Sequence, residues 1–183
     1  MKPPKRTRHP VDAVAQLLSE DLDRVIRALP ERVKDPEKSQ EDTETGCKQD
    51  TRPKQSDSRT LRVLIADGHQ DSGDSLAMVL DLRGHTTRCA YDGPRALREC
   101  KNWMPDVVVL ELALPGLSGL EFATCVRRDP SMRHIRLVAV TGCAGEKYRR
   151  LAEAAGFNAF FVKPVQIDKL TDYLACSING PRM

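Results

Sequence analysis

The sequence predicts an α/β protein. From residue 61 onward it reads as a doubly wound sheet of five parallel strands with helices on both faces. Three observations predict this. Short apolar runs, such as VVVL at 107–110, alternate five times with segments of helical periodicity. These runs are almost uninterrupted rather than alternating apolar with polar, as expected of strands covered on both sides. Apolar content also sets in abruptly near residue 61, because residues 31–60 hold one valine and no larger apolar side chain.

The elements follow in order. LRVLIA at 61–66 is the first strand. Residues 75–83 form a helix with Leu76, Val79, Leu80 and Leu82 as its apolar positions and Gly84 behind it; Asp71, ahead of it, is read as its N-cap. Residues 86–90 are a short second strand. Asp92 and Gly93 make a turn, and Pro94 opens a helix that runs through Cys100. Trp103, Met104 and Pro105 are packing residues before the third strand at 106–110. Pro115, Gly116 and Gly119 punctuate the loop before a helix at 120–128. A fourth strand at 135–140 is followed by a helix at 145–155, stopped by Gly156. The fifth strand spans 158–162, and a last helix runs from Gln166 to about Cys176.

The first sixty residues are different. Residues 1–10, MKPPKRTRHP, are basic, and the tail is expected to be solvated. Residues 11–29 carry Val14, Leu18, Leu22, Val25 and Leu29 at spacings of three and four, between Pro10 and Pro30. Residues 1–30 therefore form a basic tail and an amphipathic helix. Its polar face mixes Glu20, Asp21 and Asp23 with Arg24 and Arg27, unlike the uniformly basic face of a membrane-surface helix. A lone helix of this length must pack on something: the body of the protein, its own copy or a partner. Residues 31–60 cannot offset their ordering entropy by burial and are expected to be a disordered linker. The folded domain is then 61–178, with a short tail at 179–183.

Composition excludes several function classes. The net charge of +3 is too small to indicate a nucleic-acid or membrane partner. No apolar run is long enough to cross a bilayer, and no signal-peptide core follows the basic N-terminus. A cytoplasmic protein is expected. The cysteines, Cys47, Cys89, Cys100, Cys125, Cys143 and Cys176, form no CxxC pair and read as reduced, small apolar side chains. With His9, His69, His85 and His134 scattered, no structural zinc site is expected.

In a doubly wound fold the site lies at the carboxyl ends of the strands. There the sequence sets Asp67, Gly68 and His69 after strand one, Glu111 after strand three, Thr141 after strand four, and Lys163 with Pro164 after strand five. Two acids, a hydroxyl and a lysine converge on one rim.

These residues also carry a resemblance. VLIAD at 63–67, PDVVVL at 105–110, LPGLSG at 114–119, VAVT at 138–141 and FVKP at 161–164, in this order and spacing, resemble the receiver domain of two-component response regulators, with its flavodoxin-like (βα)5 fold. Tyr91, Asp92 and Gly93, and Ala96 with Leu97, fit the same pattern. The resemblance covers residues 61–178 and none of 1–60. It implies a non-enzymatic signalling module in which an aspartate after strand three accepts a phosphoryl group from a histidine kinase. It further implies a pair of acids after strand one holding Mg²⁺, and a Thr and a Lys binding the phosphoryl oxygens.

Carried over residue by residue, Asp67 matches the first acid, and Thr141 and Lys163 match their positions. Ala113 would lend a backbone carbonyl to the metal, and Phe160 matches an aromatic that moves in the switch. Two positions depart. Gly68 stands where the second acid belongs, and Glu111 stands at the phosphoacceptor position. A glutamate would carry its carboxylate about 1.5 Å further into the pocket. Phosphoryl transfer depends on positioning and charge neutralisation, so such a displacement costs rate. Asp67, Glu111 and the Ala113 carbonyl would hold Mg²⁺ only weakly.

The leading expectation is a degenerate receiver that works by protein contact. Its Glu111 pairs with Lys163, Thr141 lies close by, and no phosphorylation cycle is needed. The second is an active phosphoacceptor with unusual acids. The third, from another class, is an enzyme or flavin protein on the same fold, which the acidic loop after strand one opposes. Expected partners are a histidine kinase or a downstream effector. A homodimer would form through the helix 4, strand 5 and helix 5 face, where Tyr148, Leu151, Ile167, Leu170 and Tyr173 could contribute, or through residues 11–29. With the last helix near the end of the chain, no effector domain is expected to follow. His69 reads as solvated, Cys143 as a loop residue near the pocket without a redox role, and the bond before Pro164 as cis.

Overall fold

A computed structural model describes residues 60–178. The expected basic tail, the helix at 11–29, the linker at 31–60 (apart from Thr60) and the tail at 179–183 lie outside the described residues. The elements are β1 (Arg62–Ala66), α1 (Gln70–Leu82), β2 (Thr86–Ala90), α2 (Gly93–Trp103), β3 (Val107–Leu110), α3 (Gly119–Arg128), β4 (Arg136–Thr141), α4 (Glu146–Ala155), β5 (Ala159–Val162) and α5 (Ile167–Ile178). A 3₁₀ turn, Pro130–Met132, precedes β4. All pairings are parallel, in the order β2-β1-β3-β4-β5.

The central strands are buried because alternate side chains feed two cores. Leu64, Ala66, Val108, Leu110, Leu137 and Ala139 point to the side covered by Phe122, Ala123, Val126 and Ala152. Val63, Ile65, Val107, Val109, Val138 and Val140 point to the side covered by Leu80, Leu170 and Leu174. This double burial is why the strands read as continuous apolar runs. It also sets every strand end on one rim.

Several boundaries differ from expectation, each for a local reason. Helix α1 begins at Gln70, not at residue 75, because tertiary contacts outweigh the low helix propensity of QDSGD. Gly73 N–H donates to the His69 carbonyl, and Gly73 is buried. The N-cap is therefore His69, and Asp71 lies inside the first turn, where its charge favours the helix dipole instead. Helix α2 starts at Gly93, capped by the Asp92 carboxylate accepting from Arg95 N–H at 2.6 Å, and runs to Trp103. It ends where Met104 adopts a left-handed conformation (φ 50°) ahead of Pro105. Trp103 packs on the core with Arg62 and Arg88 each 4.8 Å from its ring centre. Helix α3 opens with a capping box between Ser118 and Glu121 that the expectation omitted. The bond before Pro164 is cis, as expected.

Candidate functional site

The rim is built by short connections. Asp67 follows β1, and its N–H donates to the Ala90 carbonyl of β2 at 3.1 Å. Glu111 follows β3, and its N–H donates to the Ala66 carbonyl at 2.8 Å. Lys163 follows β5, its N–H bonded to the Thr141 carbonyl at 2.8 Å. Backbone bonds of the sheet thus set both acids and the lysine side by side.

Lys163 Nζ lies 2.7 Å from Asp67 Oδ2 and 3.0 Å from Glu111 Oε2. One ammonium therefore bridges the two carboxylates. Asp67 Oδ1 accepts the His69 N–H at 2.9 Å, and Oδ2 also accepts the Ser72 hydroxyl at 2.9 Å. Burial opposes the charged form of Asp67. The hydrogen bond from Lys163 and those from His69 and Ser72 outweigh burial and hold the carboxyl below its ordinary value. For Lys163, burial works downward, but its bonds to Asp67 and its attraction to Glu111 raise the ammonium above its ordinary value.

Glu111 is not extended into open space. Its Oε1 turns back to accept the N–H groups of Leu112 (2.8 Å) and Ala113 (3.3 Å), leaving Oε2 for Lys163. The extra methylene is used to cap the loop that follows β3. Thr141 is fully buried, and its hydroxyl accepts the Cys143 N–H at 3.1 Å. Among the described residues it hydrogen-bonds to neither acid. Cys143 is pushed upward, mainly by burial, which leaves it a poor thiolate. His69 projects into solvent, with Nδ1 3.6 Å from Asp67 Oδ1. Phe160 is half-buried on the larger core, with the Arg149 guanidinium 5.4 Å from its ring centre.

Ser72 is the functional side chain that sequence reading missed. It became visible as a partner of Asp67 only once α1 was seen to start at Gln70. The reverse holds for Leu170, expected on the helix 4, strand 5 and helix 5 surface: it is fully buried on the inner face of α5, whereas Tyr148, Leu151, Ile167 and Tyr173 are half-exposed.

The donor set does not fit Mg²⁺ as it stands. A Cβ at Gly68 would sit 4.0 Å from the Ala113 carbonyl oxygen, so position 68 faces the expected metal-binding carbonyl but offers no ligand. The two remaining carboxylates already share an ammonium. Among the described residues no three acidic, His or Cys side chains group together as a metal site. Mg²⁺ prefers a near-octahedral set of oxygens.

Asp67, Glu111 and Lys163 line one side of a mostly apolar cavity of about 410 Å³ that opens between α1 and the start of α5, floored by Ile65, Val109 and Val140. Among the described residues no helix is long and apolar enough to cross a membrane.

Comparison with known proteins agrees with this geometry. The model of the response regulator receiver domain matches residues 63–175. The sensory/regulatory protein RpfC of Xanthomonas campestris is 31% identical over 119 residues, which are 64% of this chain and 16% of that protein. The polar-differentiation response regulator DivK of Brucella ovis is 25% identical over 62% of this chain and 92% of its own length. This chain thus spans about a sixth of RpfC but nearly all of DivK in its aligned part. Among solved structures, the chemotaxis response regulator CheY4 of Vibrio cholerae has a TM-score of 0.61 at 22% identity, covering 65% of this chain and 99% of that one. A solved structure from Chloroflexus aurantiacus has a TM-score of 0.63 at 23% identity, covering 67% and 100%. These likenesses show the fold. Receiver domains are generally non-enzymatic and interact with histidine kinases and effectors. On the match over residues 63–175, this chain belongs to the response regulator receiver domain family of two-component signalling.

Proposed function

We propose that this receiver is a pseudo-receiver: it holds one signalling state without phosphorylation and works by protein contact. The observation that carries the reading is the single ammonium of Lys163 shared by Asp67 and Glu111, at 2.7 and 3.0 Å. A phosphoacceptor needs a carboxylate oxygen free to attack in line with the leaving group. At Glu111 one oxygen is held by two backbone N–H groups and the other by the ammonium. The ammonium takes the place that a divalent cation would hold between the two acids, and Gly68 supplies no further ligand. Metal binding is therefore weak in this reading, and no catalytic activity is assigned.

The contact surface in this reading is the α4, β5 and α5 face. It combines half-exposed Tyr148, Leu151, Ile167 and Tyr173 with Phe160 and its covering Arg149. A kinase, an effector or a second copy would meet it there, inside the cytoplasm.

The test is incubation of the full chain with acetyl phosphate and Mg²⁺, followed by intact mass. The unmodified mass should persist over hours. A phosphoryl adduct, lost in Glu111→Gln, would instead establish an active acceptor with an unusual acid.

A further inference from the structure

Helix α1 bears the two most exposed large apolar side chains among the described residues, Met78 (67%) and Leu82 (83%). Spaced four apart, they form one outward stripe beside Ser75 and Val79, which line the cavity between α1 and α5. The helix also carries Asp71, Asp74 and Asp81 with no Lys or Arg. An apolar stripe in an acidic setting is one half of a helix–helix contact, and the described residues do not supply the other half.

We propose that residues 11–29 of the same chain pack as an amphipathic helix along the Met78 and Leu82 face of α1. Their stripe, Val14, Leu18, Leu22, Val25 and Leu29, has the matching spacing. The route of the chain favours this occupant. Thr86 N–H donates to the Leu61 carbonyl at 2.8 Å, so the chain enters the domain at the Leu82 end of α1. Residues 31–60 span about 30 Å root-mean-square as a coil, which covers the distance and keeps the local concentration of the segment high.

The route of the chain sets the orientation. With its C-terminal end at Leu82, the segment runs parallel to α1. Arg24 and Arg27 then lie toward Asp81. Residues 1–10, with Lys2, Lys5, Arg6 and Arg8 and no acid, lie toward Asp71 and Asp74. A segment of this length is about 28 Å long as a helix against about 20 Å for α1, so the basic tail extends past the start of α1.

Hydrogen exchange on the full-length chain tests this, read by mass spectrometry on peptides from 11–29 and from 75–83. Three proteins are compared: the unaltered chain, Leu18→Asp with Leu22→Asp, and Met78→Asp with Leu82→Asp. In the unaltered chain both regions should exchange at least about tenfold more slowly than in the first variant. The second variant should release 11–29 by the same factor, at every protein concentration. Exchange at 75–83 that ignores the first variant would overturn the proposal. Protection that grows with concentration alongside a doubled mass would also overturn it, by assigning the face to a second copy.

Discussion

Lys163 Nζ lies closer to Asp67 (2.7 Å) than to Glu111 (3.0 Å), so the lysine's tighter partner is the acid at the end of β1 and not the one at the acceptor position. This has a consequence for pH. Asp67 is held below 3.8, so its contribution to stability is present above that value and is lost as pH falls through the lowered one. Lys163 is held above 10.5, so its contribution is full below that value and is lost as pH rises through the raised one. Urea unfolding of the unaltered chain and of Lys163→Met should differ by a constant amount between these limits. The gap should narrow below pH 3.8 and above 10.5. A gap that changes across neutral pH would contradict these assignments.

Restoring the acids should restore the metal. Gly68→Asp with Glu111→Asp places a second carboxylate opposite the Ala113 carbonyl and shortens the acid after β3. The new Cβ at 68 comes nearest the Pro115 ring, at 3.0 Å, a contact that a small shift of an exposed ring relieves. Calorimetry should show Mg²⁺ binding at least about tenfold tighter in the double variant than in the unaltered chain. Equal affinities would mean that the two positions do not govern the metal.

Two glycines should respond oppositely to alanine. A Cβ at Gly93 would stand 2.1 Å from the Leu117 carbonyl oxygen, where the start of α2 presses on the loop after β3. Gly93→Ala should cost at least about 2 kcal/mol, by forcing this loop away. At Gly142, in the loop after β4, a Cβ would meet nothing within 4 Å. Gly142→Ala should stay within about 0.5 kcal/mol. Denaturant midpoints measure both, and a mild Gly93→Ala would show that the loop carrying Glu111 is not pinned by α2.

The strands were legible because double burial writes an apolar run directly into the text, as in Val107 to Leu110. The rim followed from topology, since parallel strands must end together. The start of α1 was not legible. Asp71 to Asp74 are poor helix formers, and contacts with β1 and β2 outweigh that, which hid both the cap at His69 and the bond from Ser72 to Asp67. The fold of the Glu111 side chain was hidden for a similar reason. Its length suggested a reach into the pocket, whereas two unpaired backbone N–H groups, absent from any residue-type argument, draw one oxygen back. Burial of Leu170 turns on the helical phase of α5, which a start misplaced by a residue cannot resolve.

The central claim is that Lys163 is the cation that allows Asp67 and Glu111 to be charged together. The most direct measurement is a double-mutant cycle by urea unfolding at neutral pH, with Lys163→Met, Asp67→Asn and both. Lys163 is partly exposed while Asp67 is buried, so the lysine substitution alone should cost about 2–3 kcal/mol, between the values for exposed and fully buried pairs. Adding Asp67→Asn should recover part of that loss, giving a coupling of at least about 1 kcal/mol. The parallel cycle with Glu111→Gln should show a smaller coupling of the same sign. Losses that simply add in both cycles would mean that the ammonium does not hold the acids, and the phosphate-independent state would lose its physical basis.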